Sequence, residues 1–231
     1  MNQSNEPQSS ARERIGELYN ALMTQIVFRL DATLESGKEA RDNKDHPDNW
    51  KNAEFCYLQV RKVCEYLALA ILVAHDGYEG ATSKKYRSSY HAGDLFDELM
   101  KLNRYAFPVP VLVMMDAQGE GRHHVEPKSN GLTIAELKYI YGQCSDRLHV
   151  GTLKKLLSGR AQAYDLTELM GWRNRLVETL NTHMVLLPEI LSVLLVVLKD
   201  ENDGLVHCAF GDADGEFVIG DRVEFAVDRK L

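Results

Sequence analysis

Cysteine is scarce in this chain of 231 residues, and its four copies, Cys56, Cys64, Cys144 and Cys208, lie far apart. No CxxC pair or cluster occurs, so a disulfide framework is not encoded and the thiols read as buried core residues. Long apolar runs are missing too. The longest, 66–74 and 190–198, are about half of the roughly 20 residues that a membrane-spanning helix needs. The polar opening 1–10 has no apolar core of a signal peptide. Together these features predict a cytoplasmic protein with no membrane partner. A basic balance is also absent: the formal charge is −7 and the pI near 5.6. Nucleic-acid modules usually carry a net basic field, so nucleic acid is a possible partner but not the favoured one. No Walker loop, GxGxxG, GxSxG or HExxH occurs, which removes the common nucleotide-binding and hydrolytic motifs. Internal repeats and low-complexity tracts are absent as well.

What is present fits a globular chain. An apolar fraction of 45% with 26% charged residues is ordinary for a soluble domain, and the length suffices for a real core. The pattern predicts an α+β fold, with a helical bundle of about four or five helices and a small, mostly antiparallel sheet from 107–126 and 183–219. Residues 1–9 read as a disordered tail and 10–231 as a single α+β domain. Its helical part spans 10–181, with an inserted hairpin 107–126, and its β part spans 182–231.

Ser10-Ala-Arg-Glu13 has the form of a capping box. Behind it Ile15, Leu18, Leu22, Ile26, Leu30 and Leu34 recur at helical spacing until Gly37, where a helix can end. Residues 38–47 form a charged loop closed by Pro47. A second helix is predicted over 49–75, apolar nearly all round from Val63 to Ala74, and a shorter one over 91–103. Phe107 to Met115 and Arg122 to Glu126 read as a hairpin with an edge strand. Thr133-Ile-Ala-Glu136 is a second capping box, with Leu132 and Leu137 at the spacing of a hydrophobic staple. It opens a helix reaching to about 149, and a further helix covers 162–181. Pro188 stands against continuing that helix, because proline inside a helix costs about 3 kcal/mol. Residues 183–187, 190–198, 205–210 and 216–219 are therefore read as strands, with 190–198 buried on both faces.

The chemistry-bearing side chains concentrate in Tyr139-Ile-Tyr-Gly-Gln-Cys-Ser-Asp-Arg-Leu-His149. Helical spacing sets Ser145 one turn from His149 and Asp146 almost as close. A carboxylate can fix the tautomer of an imidazole, and the imidazole can activate a hydroxyl, so His149, Ser145 and Asp146 are the catalytic candidates. The same residues also serve to cap the end of a helix, where a cation favours the dipole. Arg61 and Glu65 lie one turn apart on the most apolar helix, with Tyr57 a further turn back. They read either as an internal ion pair or as the polar wall of a pocket in which Arg61 holds an anion. Tyr141 and Arg147 complete that ligand-binding set. On a strand His124 and Glu126 share a face while His123 points away. Two donors do not make a zinc site, so no metal and no cofactor is expected. Lys84-Lys85 and Lys154-Lys155, with Tyr86, Arg87, Tyr90 and Arg160, would make a basic and aromatic surface.

Two stretches carry a family resemblance. Leu58-Gln-Val-Arg-Lys-Val-Cys-Glu-Tyr-Leu-Ala68 and Tyr141-Gly-Gln-Cys-Ser-Asp-Arg-Leu-His-Val-Gly151 resemble the helical core of bacterial HEPN-like proteins. The resemblance implies a helical core and, in the ribonucleases of that group, an Arg and a His four to six residues apart acting on one phosphate. Here Arg147 and His149 are separated by one residue, which points them to nearly opposite sides of a helix. Arg41 and His46 have the formal spacing but fall in the charged loop. The resemblance thus implies a non-catalytic or divergent member. The expectation is a binding or assembly module that forms a homo-oligomer and presents a groove between helices 49–75 and 133–149 to a protein or small ligand. The alternative is a hydrolase or nuclease using His149 with Ser145 or Asp146.

Overall fold

Two long helices form the first layer of the fold. The structure, a computed structural model, describes residues 6–43, 45–76, 106–115, 123–149, 164–187, 192–212, 216–217 and 227–228. Helix α1 spans Glu6–Asp42 and α2 spans Asn49–Ala74. In α1 the buried positions are Tyr19, Met23, Ile26, Leu30, Thr33, Gly37 and Ala40. In α2 the matching set is Ala53, Tyr57, Val60, Cys64, Leu67, Ile71 and Ala74. Both alternate spacings of four and three, the periodicity of a coiled-coil seam. The turn is tied by Asn49, whose side-chain amide donates to the Ala40 carbonyl at 2.8 Å. Further along, Arg29 donates to Gln59 Oε1 at 2.8 Å.

Helix α1 departs from its sequence pattern in three ways. The helix begins at Glu6, ahead of the Ser10–Glu13 box, with Pro7 in its first turn, where a missing N–H costs nothing. Its buried stripe shares only Ile26 and Leu30 with the predicted one, and Leu18 is 43% exposed. A count of apolar residues overlooks Tyr19, Thr33, Gly37 and Ala40, and these continue the seam. The Thr33 hydroxyl is satisfied by the Arg29 carbonyl at 2.7 Å. Finally, α1 runs through Gly37 to Asp42, so Arg41 lies in its last turn and not in a loop. Gly37 serves packing instead, since a Cβ there would stand 2.8 Å from Met170 Sδ on a neighbouring helix.

The other described helices are α3, Ile134–Leu148, and α4, Leu166–Leu180. Thr133 caps α3 in a full capping box, its hydroxyl accepting from Glu136 N while the Glu136 carboxylate accepts from Thr133 N. Arg175 of α4 bonds that same carboxylate at 3.0 Å. Asp165 caps α4 by accepting from Glu168 N. The 91–103 helix expected from the sequence falls outside the described residues.

Strands β1 (Val109–Met115), β2 (His123–Pro127), β3 (Thr182–Leu186), β4 (Ser192–Val197) and β5 (His207–Asp212) form one sheet in the order β2-β1-β3-β4-β5. Every pairing in it is antiparallel, and β2 is an edge strand, as the hairpin pattern predicted. The chain is therefore α+β. Among the described residues, strands β6 (Glu216–Phe217) and β7 (Val227–Asp228) pair with each other and not with the main sheet; the rest of the expected 216–219 strand lies outside the described residues. Burial along β4 alternates: Ser192, Leu194 and Val196 are buried, while Val193, Leu195 and Val197 are half-buried. The expected burial of both faces is thus only partial.

Side chains from all four helices join Val185, Leu194 and Val196 of the sheet in one core cluster. The opposite face holds a smaller cluster around Val109, Val111, Met184 and Leu186. Asp200 to Gly204 turns the chain from β4 towards β5, with Gly204 at φ 73°, a backbone conformation that glycine adopts without strain. Helix α1 meets the sheet through Asn20, which donates to the Val206 carbonyl, and through Arg12, which pairs with Asp212 and donates to Ser192. No helix among the described residues is long and apolar enough to cross a membrane.

Candidate functional site

Helices α2 and α3 bring the sequence-selected residues to one side of the fold. Arg61 sits beside Glu65 at 3.2 Å, with side-chain exposures of 27% and 23%. Lys62 takes the other Glu65 oxygen at 2.7 Å. The Arg61 guanidinium also lies 5.5 Å from the centre of the Tyr141 ring on α3, within cation–π range. This differs from an internal ion pair. It is an intrahelical pair at the rim of the α2–α3 contact, partly hydrated and carrying a second cation, so one positive charge remains in excess over Glu65.

Tyr57 is fully buried. Its hydroxyl donates to the Asp165 carbonyl and accepts from the Asp165 amide, both at 3.1 Å, which pins the N-cap of α4 against α2. Burial raises its pKa, and the Asp165 bond and the Arg147 charge oppose that rise only in part. Its ring packs on Tyr164 at 5.6 Å and edge-on against Trp172 at 6.2 Å. Trp172 in turn meets Tyr139 of α3 edge-on at 6.2 Å. Sequence reasoning selected Tyr57 but not Tyr164 or Trp172. Trp172 lies three residues after Leu169 and four before Leu176, so the helical spacing of α4 was the signal that could have found it.

The thiols here are inert. Burial pushes Cys144 up to about 12 and Cys56 up to about 11, and it raises Cys64 well above its usual value. None would supply a thiolate nucleophile near neutrality.

The end of α3 holds the catalytic candidates. The Ser145 hydroxyl donates to the Tyr141 carbonyl one turn back at 2.8 Å, which occupies its only proton. Asp146 is exposed. His149 is the C-cap residue: its backbone N–H donates to the Ser145 carbonyl, and at φ −81°, ψ 138° the chain leaves the helix there. Its side chain is exposed, and among the described residues no hydrogen bond joins the side chains of Ser145, Asp146 and His149. Arg147 is half-buried in the last turn of α3, where a cation suits the helix dipole.

Elsewhere, His124 and Glu126 share a face of β2 at 3.4 Å, both well exposed, and among the described residues no group of three or more metal-ligating side chains occurs. The lysine pairs 84–85 and 154–155, with Tyr86, Arg87, Tyr90 and Arg160, lie outside the described residues. His46 Nδ1 accepts from the Asp48 amide at 3.2 Å, a role within the α1–α2 turn.

A further pair of residues was not legible in the sequence as a site. Tyr19 and His183 are both fully buried, with Tyr19 Oη 2.9 Å from His183 Nε2. His183 Nδ1 faces the Leu180 carbonyl at 2.8 Å. The available signal was a histidine at the head of the apolar run 183–187, where both ring nitrogens need partners.

Comparison with protein-family models, with curated proteins and with solved structures finds no match to this chain.

Proposed function

We propose that this chain is a non-catalytic binding or assembly module, HEPN-like in its helical core, which associates with itself and offers the rim between α2 and α3 to a protein segment or small ligand. The observation that carries this reading is how the α3 segment uses its polar groups. The Ser145 hydroxyl is bonded to the Tyr141 carbonyl, the Tyr57 hydroxyl is bonded to Asp165, and the nearby thiols are protonated. A serine nucleophile needs its hydroxyl within hydrogen-bond reach of the base, about 2.6–3.2 Å between heavy atoms, and among the described residues the Ser145 hydroxyl is bonded to the Tyr141 carbonyl and not to His149. The groups that point outward suit recognition better. Arg61 and Lys62 surround one carboxylate beside the Tyr141 ring, a partly hydrated cationic rim fit for an acidic side chain or a small anion. The HEPN-like part of the reading rests on the two stretches 58–68 and 141–151.

The test is turnover. RNA and DNA cleavage and ester hydrolysis are measured for the wild-type protein and for His149→Ala, with melting temperatures alongside. Neither protein should turn over substrate, and the two should melt alike. Turnover that is lost in a folded His149→Ala protein would replace this reading with the nuclease or hydrolase one.

A further inference from the structure

Helix α2 carries a second seam, on the side facing away from the core. Phe55, Leu58, Lys62, Glu65, Leu69 and Leu72 follow one another at spacings of three, four, three, four and three. That periodicity keeps all six on one outward ridge, as in a coiled-coil partner strand. Phe55, Leu58 and Leu69 are 41%, 39% and 42% exposed, while Leu72, at the end of the row, is half-buried and packs in part against the core. Isolated exposed apolar residues are ordinary, whereas a heptad-spaced row of them over about 26 Å of helix is the form of a helix-binding surface.

The order of the residues identifies the occupant. Read from either end, the row is apolar, apolar, charged, charged, apolar, apolar, and its two central charges have opposite sign. A two-fold axis midway between Lys62 and Glu65 therefore sets Lys62 against Glu65 of a second copy, twice. It also sets Leu58 against Leu69 and Phe55 against Leu72. A parallel arrangement would instead stack Lys62 on Lys62 and Glu65 on Glu65. An isologous contact requires this kind of self-complementarity, and an unrelated apolar partner does not. From this we infer that two copies of the chain associate through an antiparallel α2–α2 contact along this ridge. The inference rests on the reading of the chain as an assembly module, and it supplies the surface and its register.

In this dimer Glu65 keeps its bond to Arg61 and shares Lys62 between the copies.

Sedimentation of the full chain at micromolar concentration tests this. The wild-type protein should run at twice the 26.2 kDa chain mass. Lys62→Glu alone and Glu65→Lys alone should each weaken the dimer more than about tenfold, because like charges then face each other at both central positions. Mixed in equal amounts, the two variants should form a heterodimer, since each supplies the charge that the other lacks. Leu58→Gln with Leu69→Gln, at exposed positions, should give a monomer that still unfolds cooperatively, its melting temperature lowered only by the loss of association; this variant covers the case in which losing the Arg61 partner disturbs Glu65→Lys. A monomeric wild-type protein overturns the inference, as does a dimer that none of these substitutions changes. Either result leaves the turnover test of the broader reading untouched, because that test depends on His149.

Discussion

The Tyr19 hydroxyl donates to Nε2 of His183 across 2.9 Å in a site closed to solvent, joining α1 to the first strand of the C-terminal meander. The donor is assigned by the other ring nitrogen. Nδ1 faces the Leu180 carbonyl and must carry the proton, so Nε2 is left to accept. The imidazole is neutral, and it also satisfies a carbonyl at the end of α4.

That arrangement predicts acid sensitivity. Burial lowers the folded-state pKa of His183 from 6.5 to about 4. Between those values the unfolded chain binds a proton that the folded chain does not. The His183 contribution is therefore fully present above pH 6.5 and is lost as pH falls towards 4, by roughly 3 kcal/mol. His75, also buried and shifted down, acts in the same direction. Urea unfolding from pH 7.5 to 4 should show the decline, and His183→Gln should reduce its slope. A slope unchanged by that substitution would place the acid sensitivity elsewhere.

Gly37→Ala sets two effects against each other. Alanine favours the helix by up to about 1 kcal/mol over glycine. The new methyl would meet Met170 Sδ at 2.8 Å, and overpacking typically costs about 1–3 kcal/mol. A net loss of stability is expected in the wild-type background, turning into a gain when Met170→Ala is also present. Thermal unfolding of the four proteins of this double-mutant cycle measures the coupling.

Tyr57→Phe removes both bonds to the Asp165 backbone. The loss should be about 1 kcal/mol, at the lower end because Asp165 is itself exposed and water can replace the hydroxyl. Amide exchange should quicken at the start of α4. Unchanged protection of residues 165–168 would mean that this cap does not depend on α2.

For Glu65→Ala, the exposure of the pair decides the magnitude. A buried pair broken on one side costs about 3–5 kcal/mol, whereas this partly hydrated i,i+4 pair should cost about 1 kcal/mol or less. Unfolding in dilute solution separates the two, and a loss near the larger figure would mean that water screens the carboxylate less than its exposure suggests.

Where one physical signal dominated, the sequence was readable. Helix α2 followed from its apolar run and its stops, and α3 from the Thr133 box, whose reciprocal bonds are local. Pro188 separated helix from strand correctly, because its effect on the backbone does not depend on tertiary context. The antiparallel joining of 107–126 with 183–210 followed from β-branched composition and turn residues. The errors arose where distant chain decides. The seam of α1 is set by what faces it on α2, so Leu18 counted as core while Tyr19, Thr33 and Gly37 did not. Gly37 looked like a helix stop until Met170 explained it. For the candidate site, spacing placed Ser145 near His149 but gave no sign that the Ser145 proton goes to the Tyr141 carbonyl. Tyr19 and His183 are 164 residues apart, beyond any local pattern.

The sheet order has a consequence for a chain emerging from the ribosome. Strand β1 pairs with β3 through Val109 and Met184, and Arg12 of α1 reaches Asp212 on β5, 200 residues later. The α1–α2 hairpin has its seam complete once Ala74 is made, but the α1 surface that receives β5 must wait for His207 to Asp212. Long-range antiparallel pairing is slow, and partly finished sheets leave open strand edges. Yield of folded protein should therefore respond more to the pace of translation and to chaperone supply after α4 than to anything acting on the first two helices.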